Sequence, residues 1–571
     1  MLKCVNQTLC SHLLRLFLVS IAVAGFFLFA ANYRTESGGY LFVMYADALA
    51  HGASYLNANV VSRDIGYPFL LYLSGYPYHH SLIGIALMNT IMAIFIPVLI
   101  YLTVKPVLPK GAYTIALASI ISLAPFYYIK WIHHDHAYIF FNILSLCCLS
   151  LFIDTKRFIY LFAMTLAVIM ASLIRPAGNI LFPFFILMAF MFGRGNIFKY
   201  FICILIALSV FWLYSLHRHH FFSRYAPSDT TIGGQTFQNL YVNSKEFGIR
   251  LSRDLGRGMQ TVSDNLYQAV LPHPSVSAGI KPKDERERAF FNTYISTKSP
   301  QAFMDQVYEY PSIEFYQMLY HATSNDALFL KASFEIMQHY PWYPLAFTLR
   351  NMWYLLYRPG YTHVRYSLAP MKRLASQTAF PFDYESDELE HLSARALREL
   401  AFDTFAHKPA IVKKSVKVIR FVFRSLYFYA TKVLFYLMLV AWFALIVRLL
   451  SRFSPSDKFK QWMNLFLPKK MNALIIILSL YLLLCMLIIS VFVDPLLRFH
   501  NHLILFKIML AGLGFAILIR MRRLLFSLPL ADLEQAPSQS EQLLFGPHAM
   551  ILASLVISLL AAWSIYIIVH T

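Results

Sequence analysis

The sequence predicts an all-α polytopic membrane protein with about eleven transmembrane helices, and two observations carry this prediction. Of its 571 residues, 58% are hydrophobic and only 14% are charged, whereas soluble proteins carry nearer a quarter charged residues. Apolar runs of about twenty residues recur along the chain, which is the length needed to cross roughly 30 Å of hydrocarbon. A β-barrel would instead show alternating segments of about ten residues.

The predicted spans share this length and this apolar composition. They lie near residues 12–32, 81–104, 111–129, 137–153, 157–174, 177–192, 197–216, 420–447, 471–493, 502–520 and 549–569. The first span is long for the apolar core of a cleaved signal peptide, so we interpret it as a signal anchor that is retained.

The distribution of Lys and Arg among the connections predicts the topology. Most basic residues fall in connections on one side, whereas the short loops on the other side hold only Lys130, Arg175 and Arg498. Because basic residues collect in cytoplasmic loops, the N-terminus is expected in the cytoplasm and the segments 33–80 and 217–415 outside it. The same rule accounts for the formal net charge of +20, so this charge does not indicate a nucleic-acid partner.

The chain is expected to form three regions. These are an N-terminal bundle of about seven helices with the outer loop 33–80 (1–216), an extracytoplasmic α-rich region (217–415) and the C-terminal transmembrane helices (416–571). Within the middle region, the stretch HYPWYPLAFTLRNMWYLLYRPGY is aromatic, amphipathic and bounded by prolines. This pattern predicts an interfacial or re-entrant helix near 341–357, with a full span as the alternative.

Carboxylates follow the first predicted span on the outward side. Glu36 comes a few residues beyond the hydrocarbon edge and precedes Gly38 and Gly39, which allow a tight turn. Asp47 lies in the apolar stretch that follows. For Glu36 the alternative interpretation is an ordinary solvated loop carboxylate.

The segment WIHHDHAYIFF (131–141) crowds three histidines and an aspartate at the start of a predicted span. In a helix, consecutive side chains point about 100° apart, so only His133 and His136 would share a face. With Asp135 they offer ligands for a divalent ion, but a structural zinc site needs about four converging ligands. Interfacial histidines without a special role are the alternative, whereas Asp135 suits the positive end of a helix dipole.

Two arginines stand at outward ends of predicted spans, Arg175 in SLIRPAGN and Arg498 in DPLLRFHNH. Each could simply extend its charged group to the membrane surface. Arginine also binds phosphate through paired hydrogen bonds. Two carboxylates and two guanidiniums on one outward surface favour transfer of a group from a phosphate-linked substrate, with arginine on the leaving phosphate and a carboxylate as base.

The order of these features resembles the GT-C superfamily of lipid-phosphosugar-dependent glycosyltransferases, in particular protein O-mannosyltransferases and the bacterial lipid A aminoarabinose transferase. The matching motifs are Glu36 with Tyr40, the Ala46–Leu49–Gly52 pattern, RDIGYP (63–68), Asp135 opening a span, Arg175–Pro176, HYPWYP (339–344) and Arg498–Phe499. The sequence departs from the family pattern in three places. Ile65 stands where proline is usual, Glu36 is single where the mannosyltransferases have an acid pair, and the usual prolines after Arg498 are absent.

The resemblance implies an inverting sugar transfer from a polyprenyl-phosphate donor to a lipid, glycan or protein acceptor at the outer face of a bacterial inner membrane. It assigns Glu36 and Asp135 to catalysis, and Arg175 and Arg498 to the donor phosphate. The side chains expected to contact substrate or to support these groups are Tyr40, Asp47, Arg63, Tyr67, His134 and His136. The resemblance fixes no cofactor, and the one candidate is a divalent metal ion at His133, Asp135 and His136.

Two alternative functions stay open. A transporter or flippase would carry charged groups in mid-span and Gly- or Pro-broken helices at the bilayer centre. The ionisable residues singled out above instead lie at outward span ends, and the predicted span 549–569 carries no charge. This favours chemistry at the membrane surface, either by the glycosyltransferase or by a polymerase or ligase of lipid-linked glycans.

Overall fold

A computed structural model describes most of the chain. The described residues are 2–31, 33–35, 39–52, 64–175, 177–193, 197–222, 232–249, 251, 326–357, 410–451, 453, 456–492 and 497–526. They are helical almost throughout, which confirms the predicted all-α class. Glu36, Arg63 and the predicted span 549–569 lie outside the described residues.

The described elements are numbered here in chain order. The helices are α1 (Leu2–Ala30), α2 (Gly39–His51), α3 (Gly66–Leu73), α4 (Tyr76–His79), α5 (Leu82–Val104), α6 (Ala112–Ile121), α7 (Asp135–Thr155), α8 (Phe158–Ile174), α9 (Gly178–Gly193), α10 (Ile197–Phe222), α11 (Ile232–Asn243), α12 (Asp326–His339), α13 (Trp342–Tyr357), α14 (Ala410–Ser451), α15 (Asp457–Phe466), α16 (Lys469–Phe492) and α17 (Leu497–Phe526). The strands are β1 (Arg34–Thr35) and β2 (Trp131–Ile132).

Seven described helices contain a stretch long and apolar enough to cross a membrane, so the protein is membrane-embedded. These stretches are Cys10–Ala30, Leu82–Val104, Asp135–Thr155, Ile197–His219, Tyr429–Ser451, Lys469–Ser490 and Leu503–Arg522. Three other predicted spans correspond to shorter apolar helices, α6, α8 and α9.

The prediction of a span over 111–129 is wrong in its length. α6 has only ten residues and ends at Ile121. Leu123 then adopts a left-handed backbone conformation with φ 55°, and a 3-10 turn containing Pro125 follows. Neither a left-handed residue nor the proline after it continues an α-helix, so the chain turns towards β2 instead.

The described residues form two compact units, and the first contains α7 as a central helix. This unit comprises the described residues within 1–228, 357–482 and 500–571. α7 packs against α5, α8 and α9, and 72% of its apolar span is buried, against 22% for the span of α10. Because lipid tails are as apolar as leucine, close packing rather than the hydrophobic effect holds such helices together.

Two glycines bring other helices into backbone contact with the last turn of α8. A methyl group added at Gly66 would lie 2.5 Å from the carbonyl carbon of Leu173, and one added at Gly178 would lie 2.5 Å from Cα of Ser172. Both neighbours are backbone atoms, which cannot rotate away. The last turn of α8, which leads into Arg175, therefore has its position set by the starts of α3 and α9.

A short parallel pairing joins the chain after α1 to the chain before α7. In this pairing Arg34 lies opposite Trp131 and Thr35 opposite Ile132. The all-α prediction did not include it. Its consequence is that the residue before Glu36 lies beside the residue before His133.

The second unit comprises the described residues within 229–356 and 483–499. Within it, α11 packs against α12. The Tyr343 hydroxyl of α13 donates a hydrogen bond of 2.6 Å to the Leu240 carbonyl. Arg350 pairs with Glu246, and its guanidinium lies 4.7 Å from the ring centre of Phe247. These contacts fix one face of α13 inside the unit.

The opposite face of α13 is apolar and exposed. Its outward residues are Trp342, Leu345, Leu349 and Trp353, which are 52%, 62%, 57% and 50% exposed. The buried Asn351 amide donates to the carbonyl of Ser490, the last residue of the span in α16, over 3.4 Å. An exposed apolar face at the level of a span end fits the predicted interfacial helix.

Candidate functional site

The structure brings together Asp135 and Arg175, the predicted catalytic carboxylate and the predicted phosphate-binding guanidinium. Asp135 begins α7, and its side chain is only 1% exposed. Arg175 follows the last turn of α8 and donates from Nη1 to Oδ1 of Asp135 over 2.8 Å. The guanidinium carbon also lies 5.7 Å from the ring centre of Tyr138, within range of a cation–π interaction.

Two histidines flank the carboxylate of Asp135. Nδ1 of His133 lies 3.4 Å from Oδ2, and Nε2 of His134 lies 3.5 Å from Oδ1. The backbone N–H of Asp135 donates to Nδ1 of His133 over 3.2 Å. This nitrogen therefore acts as an acceptor, so a neutral His133 carries its proton on Nε2.

The histidine set differs from the predicted one. His133, His134 and Asp135 offer ligand atoms that all lie within 4.8 Å of one another. Nε2 of His136 instead lies 2.9 Å from the backbone carbonyl oxygen of Asn89. The physical reason is that α7 begins only at Asp135. His133 and His134 therefore lie in the preceding turn, where the 100° spacing of a helix does not apply.

The side chains of His133, His134 and Asp135 fit a divalent metal ion by kind and number, since catalytic zinc sites use three protein ligands. The guanidinium of Arg175, which is bound to Oδ1 of Asp135, disfavours a metal ion there. A metal cation on the same carboxylate would lie close to the guanidinium, and the two positive charges would repel strongly. A metal ion would therefore compete with Arg175 for the carboxylate.

Asn89 supports this site, and the sequence analysis did not single it out. It is completely buried in α5. Its side-chain amide donates over 3.0, 3.3 and 3.0 Å to the backbone carbonyls of Tyr128, Ile129 and Trp131. A buried acceptor left without a donor costs about 1–3 kcal/mol, so Asn89 stabilises the turn that leads into the site. The sequence feature that could have identified Asn89 is the presence of a side-chain amide inside an otherwise apolar run.

Aromatic side chains from α2 and α3 reach the histidines. The Tyr67 hydroxyl accepts a hydrogen bond of 3.0 Å from the backbone N–H of His133. The ring of Phe42 lies 5.1 Å from that of His134 and 5.2 Å from that of Tyr67. Burial raises the pKa of Tyr67, so its hydroxyl keeps its proton. Tyr67 and His134, both predicted to support the site, are thus part of it.

Asp47, predicted to contact substrate or support the site, pairs with a histidine after α4. Its Oδ1 lies 4.0 Å from Nδ1 of His80. Burial raises the pKa of Asp47 to about 6, although the nearby His80 and His51 act in the opposite direction. Asp47 is therefore a titratable group near neutral pH.

A second buried polar cluster lies at the end of α10 and contains Arg218, which sequence reasoning missed. Arg218 is completely buried. In the same turn, the Tyr214 hydroxyl donates to Oδ1 of Asp64 over 3.2 Å and accepts from the N–H of Ile65 over 3.3 Å. Because Tyr67 follows shortly after in α3, this cluster anchors the helix that supplies Tyr67.

The remaining predicted site residues are not described at the side-chain level. Glu36 and Arg63 lie outside the described residues. Tyr40 and Arg498 belong to α2 and α17, of which the structure describes the backbone at those positions. Their roles as base, phosphate ligand or substrate contacts stay predictions.

A lysine lies inside a span, contrary to the expectation that ionisable groups occupy the outward ends. Lys507 of α17 is 2% exposed and falls within the apolar stretch Leu503–Arg522. Charged side chains at such positions are costly and usually serve a function.

Comparison with protein-family models, with curated proteins and with solved structures finds no match for this chain. The likeness to the GT-C superfamily therefore stays a prediction. The functional interpretation rests on the residues and contacts described above.

Proposed function

We propose that the protein is a membrane glycosyltransferase that moves a sugar from a polyprenyl-phosphate donor to an acceptor hydroxyl or phosphate, with inversion, as expected for the GT-C superfamily. The observation that supports this most is the ion pair between the buried Asp135 and the partly exposed Arg175, with His133 and His134 beside it. Asp135 opens one apolar helix and Arg175 directly follows the next one, so in this proposal both would lie near one membrane surface. That is the depth at which a lipid phosphate meets water.

The proposal includes a topology. Eleven spans would place the N-terminus in the cytoplasm of a bacterium, with the ion pair and the region 217–415 facing the periplasm or exterior of the inner membrane. The scarcity of Lys and Arg in the short loops on the side of Arg175 supports this orientation.

In the proposed reaction, Arg175 holds the donor phosphate as the leaving group. A guanidinium has five N–H donors, so it can bind a carboxylate and a phosphate together. The acceptor oxygen forms the new bond to the anomeric carbon while the bond from that carbon to the phosphate oxygen breaks. Glu36 takes the acceptor proton, and Arg498 is the second proposed phosphate ligand. Thr35, the residue before Glu36 in the sequence, pairs with Ile132, the residue before His133.

Asp135 orients Arg175 in this proposal, and Phe42, Tyr67 and His134 offer ring surfaces to a sugar. A divalent ion held by His133, His134 and Asp135 would, when bound, polarise the donor phosphate as a Lewis acid. Excess chelator tests this part directly, because full transfer in its presence would remove the metal from the proposal.

The experiment that tests the function is deletion in the native host followed by mass analysis of lipids, envelope glycans and glycoproteins. A sugar should disappear from one class of product. Wild-type protein should restore it, Asp135→Asn should not, and the exposed control Asp457→Asn should. An unchanged sugar inventory after deletion would rule out the proposal.

A transporter or flippase is the second candidate, because the buried Lys507 within a span is the kind of residue that this class uses. The two functions separate in detergent micelles. An enzyme still transfers its sugar there, whereas transport needs a sealed membrane. Product without vesicles supports the glycosyltransferase. Donor movement across proteoliposomes that is lost in Lys507→Met, without any sugar transfer, supports the transporter.

A further inference from the structure

Basic and aromatic side chains gather where α1, α5 and α6 meet. Nδ1 of His12 in α1 lies 3.5 Å from the hydroxyl oxygen of Tyr101 in α5, and the centre of the His12 ring lies 4.8 Å from that of Tyr113 in α6. Nζ of Lys105, just after α5, lies 5.8 Å from the ring centre of Tyr101. Arg15 and Lys105 are both near enough to act electrostatically on His12. These three basic residues, hereafter the basic cluster, therefore lie close together.

The basic cluster lies at the opposite end of the packed helices from the carboxylate of Asp135. At the end where Lys105 follows α5, the Ser150 hydroxyl of α7 donates to the Thr103 carbonyl of α5 over 2.7 Å. At the other end, the ring of His136, the residue after Asp135, contacts the start of α5. α5 and α7 therefore run side by side in the same direction, and α7, with 21 residues, is about 30 Å long. The cluster is thus separate from the site described above.

The main helix neighbours of α1 carry no acidic residue that could balance this charge. α1 packs against α5, α6 and α14, and none of these four helices contains an Asp or Glu. Asp154, at the same end of α7, pairs with Lys470 instead. Like charges held close together repel one another, so a bound anion would stabilise the basic cluster.

The position of Arg15 fits an anion that belongs to the membrane. Arg15 is exposed and lies within the apolar stretch Cys10–Ala30, so the positive-inside rule, which concerns loops, does not account for it. An arginine near the end of a span extends its guanidinium to the membrane surface, where the lipid phosphates lie. Leu14 and Leu18, which lie beside Arg15 on α1, are 58% and 55% exposed. The surface of α1 around Arg15 therefore offers apolar contacts to acyl chains.

We propose that the basic cluster binds the headgroup phosphate of an anionic phospholipid. The guanidinium of Arg15 supplies paired donors for phosphate oxygens, and the ammonium group of Lys105 supplies further donors. Basic pockets between membrane helices on the cytoplasmic side bind anionic headgroups in this way. The topology that the Lys and Arg distribution predicts places this end of α5 in the cytoplasm. The inference does not depend on the proposed sugar transfer.

Native mass spectrometry of the full chain in detergent tests this proposal, with titration of phosphatidylglycerol or phosphatidylcholine. The wild type should bind phosphatidylglycerol more tightly. Arg15→Gln with Lys105→Gln should weaken this binding about tenfold or more. The exchange Arg15→Lys with Lys105→Arg keeps both charges and should keep the preference. Arg157→Gln with Lys199→Gln makes the same charge change at the starts of α8 and α10, near the same end of α7, and should leave binding unchanged.

Any of four results would overturn the proposal. Equal affinity of the wild type for both lipids would exclude selection of an anionic headgroup, and wild-type affinity in Arg15→Gln with Lys105→Gln would place the lipid elsewhere. An equal loss in the control at Arg157 and Lys199 would mean general attraction to the surface. Displacement of the lipid by an equal concentration of inorganic phosphate would assign the cluster to a soluble anion. Unfolding temperatures measured without added lipid establish that each variant is folded.

Discussion

At the scale of single residues, the ion pair of Asp135 and Arg175 predicts a coupling free energy that a double-mutant cycle can measure. Removing one partner of a fully buried pair costs about 3–5 kcal/mol, and because Arg175 is partly exposed the cost here should lie below that range. We therefore expect Asp135→Asn and Arg175→Gln each to destabilise the protein strongly, and the double variant to lose much less than the sum of the two. Unfolding in detergent measures this coupling.

The matched control is the exposed pair of Asp154 and Lys470, which involves the same helix α7. Exposed pairs contribute about 0–1 kcal/mol, so Asp154→Asn with Lys470→Gln should show little coupling. Equal coupling in both cycles, or additive effects at Asp135 and Arg175, would contradict a stabilising ion pair between these two residues.

The raised pKa of Asp47 predicts that the stability of the protein depends on pH. Its pKa in the folded protein is about 6, above the ordinary value of 3.8, because it is buried. The folded state thus binds the Asp47 proton more tightly than the unfolded state does. This difference adds to the free energy of unfolding at low pH, and the added stability is lost as pH rises from about 4 to 6. Asp47→Asn should unfold at a higher temperature than wild type at pH 7, and the difference should shrink towards pH 4.

The control for this titration is Asp457→Asn, which removes an exposed carboxylate from α15. Its unfolding temperatures should follow those of the wild type across the same pH range. Curves for Asp47→Asn that stay parallel to the wild type would show that Asp47 does not titrate as proposed.

Sequence reasoning found some residues of the site and missed others for clear physical reasons. Asp135 and Arg175 were recognisable because charges at outward span ends are scarce. The predicted metal ligands included His136 where the structure has His134, because the pattern could not locate the first residue of α7. Asn89 was missed because its acceptors lie 39 to 42 residues further along the chain. Only folding brings them within reach.

At the scale of elements, the backbone contact of α3 with α8 predicts a specific sensitivity. Gly66→Ala would place a methyl group 2.5 Å from the backbone of Leu173. Overpacking of this kind costs about 1–3 kcal/mol, and it should also shift Arg175. The control is Gly25→Ala in α1, where, apart from its chain neighbours and the backbone of its own helix, no atom lies within 4 Å of the added carbon. This control should keep or raise the unfolding temperature, because alanine favours helix.

The exposed apolar face of α13 predicts that this face of the helix contacts the apolar part of the membrane. A nitroxide at Leu349, in a variant without native cysteines, should be more accessible to oxygen than to a water-soluble nickel complex when the protein is in nanodiscs. The same label at the exposed Gln338 of α12 should show the reverse. Preferential nickel access at both positions would contradict an interfacial helix.

The long membrane-spanning helices could be predicted from the sequence, because their position depends on the length and apolar composition of a continuous stretch. The long spans of α5, α7 and α16 fall close to their predicted bounds for this reason. The early end of α6 depended on the backbone of Leu123, which no periodicity reveals. The two-residue strands were not predictable, because their pairing joins distant segments through backbone atoms alone.

At the scale of the whole molecule, the charge distribution predicts opposite exposure for the two ends of α8. A cysteine at Ala177, just after Arg175, should react with a membrane-impermeant reagent added to intact cells. A cysteine at Phe158, the first residue of α8, should react only after the cells are opened. Identical reactivity at both positions would contradict the proposed topology.

The division into units also went beyond the sequence pattern. The middle region was expected as a continuous stretch, 217–415, but the second unit combines Asp229–Leu356 with Leu483–Phe499. The late segment looks like an ordinary membrane helix and its flank. One of its contacts within the unit is the hydrogen bond from the Asn351 amide to the Ser490 carbonyl, which no sequence pattern indicates.

The pairing of β1 with β2 has a consequence for biosynthesis. Arg34 leaves the ribosome roughly a hundred residues before its partner Trp131, which at about 5–20 residues per second is a delay of some 5–20 seconds. During that interval the chain after α1 has been made but its partner strand has not. Any nascent chain that stops before β2 therefore lacks the ion pair as well, because both Asp135 and Arg175 come later. The site is completed only after several helices have entered the membrane.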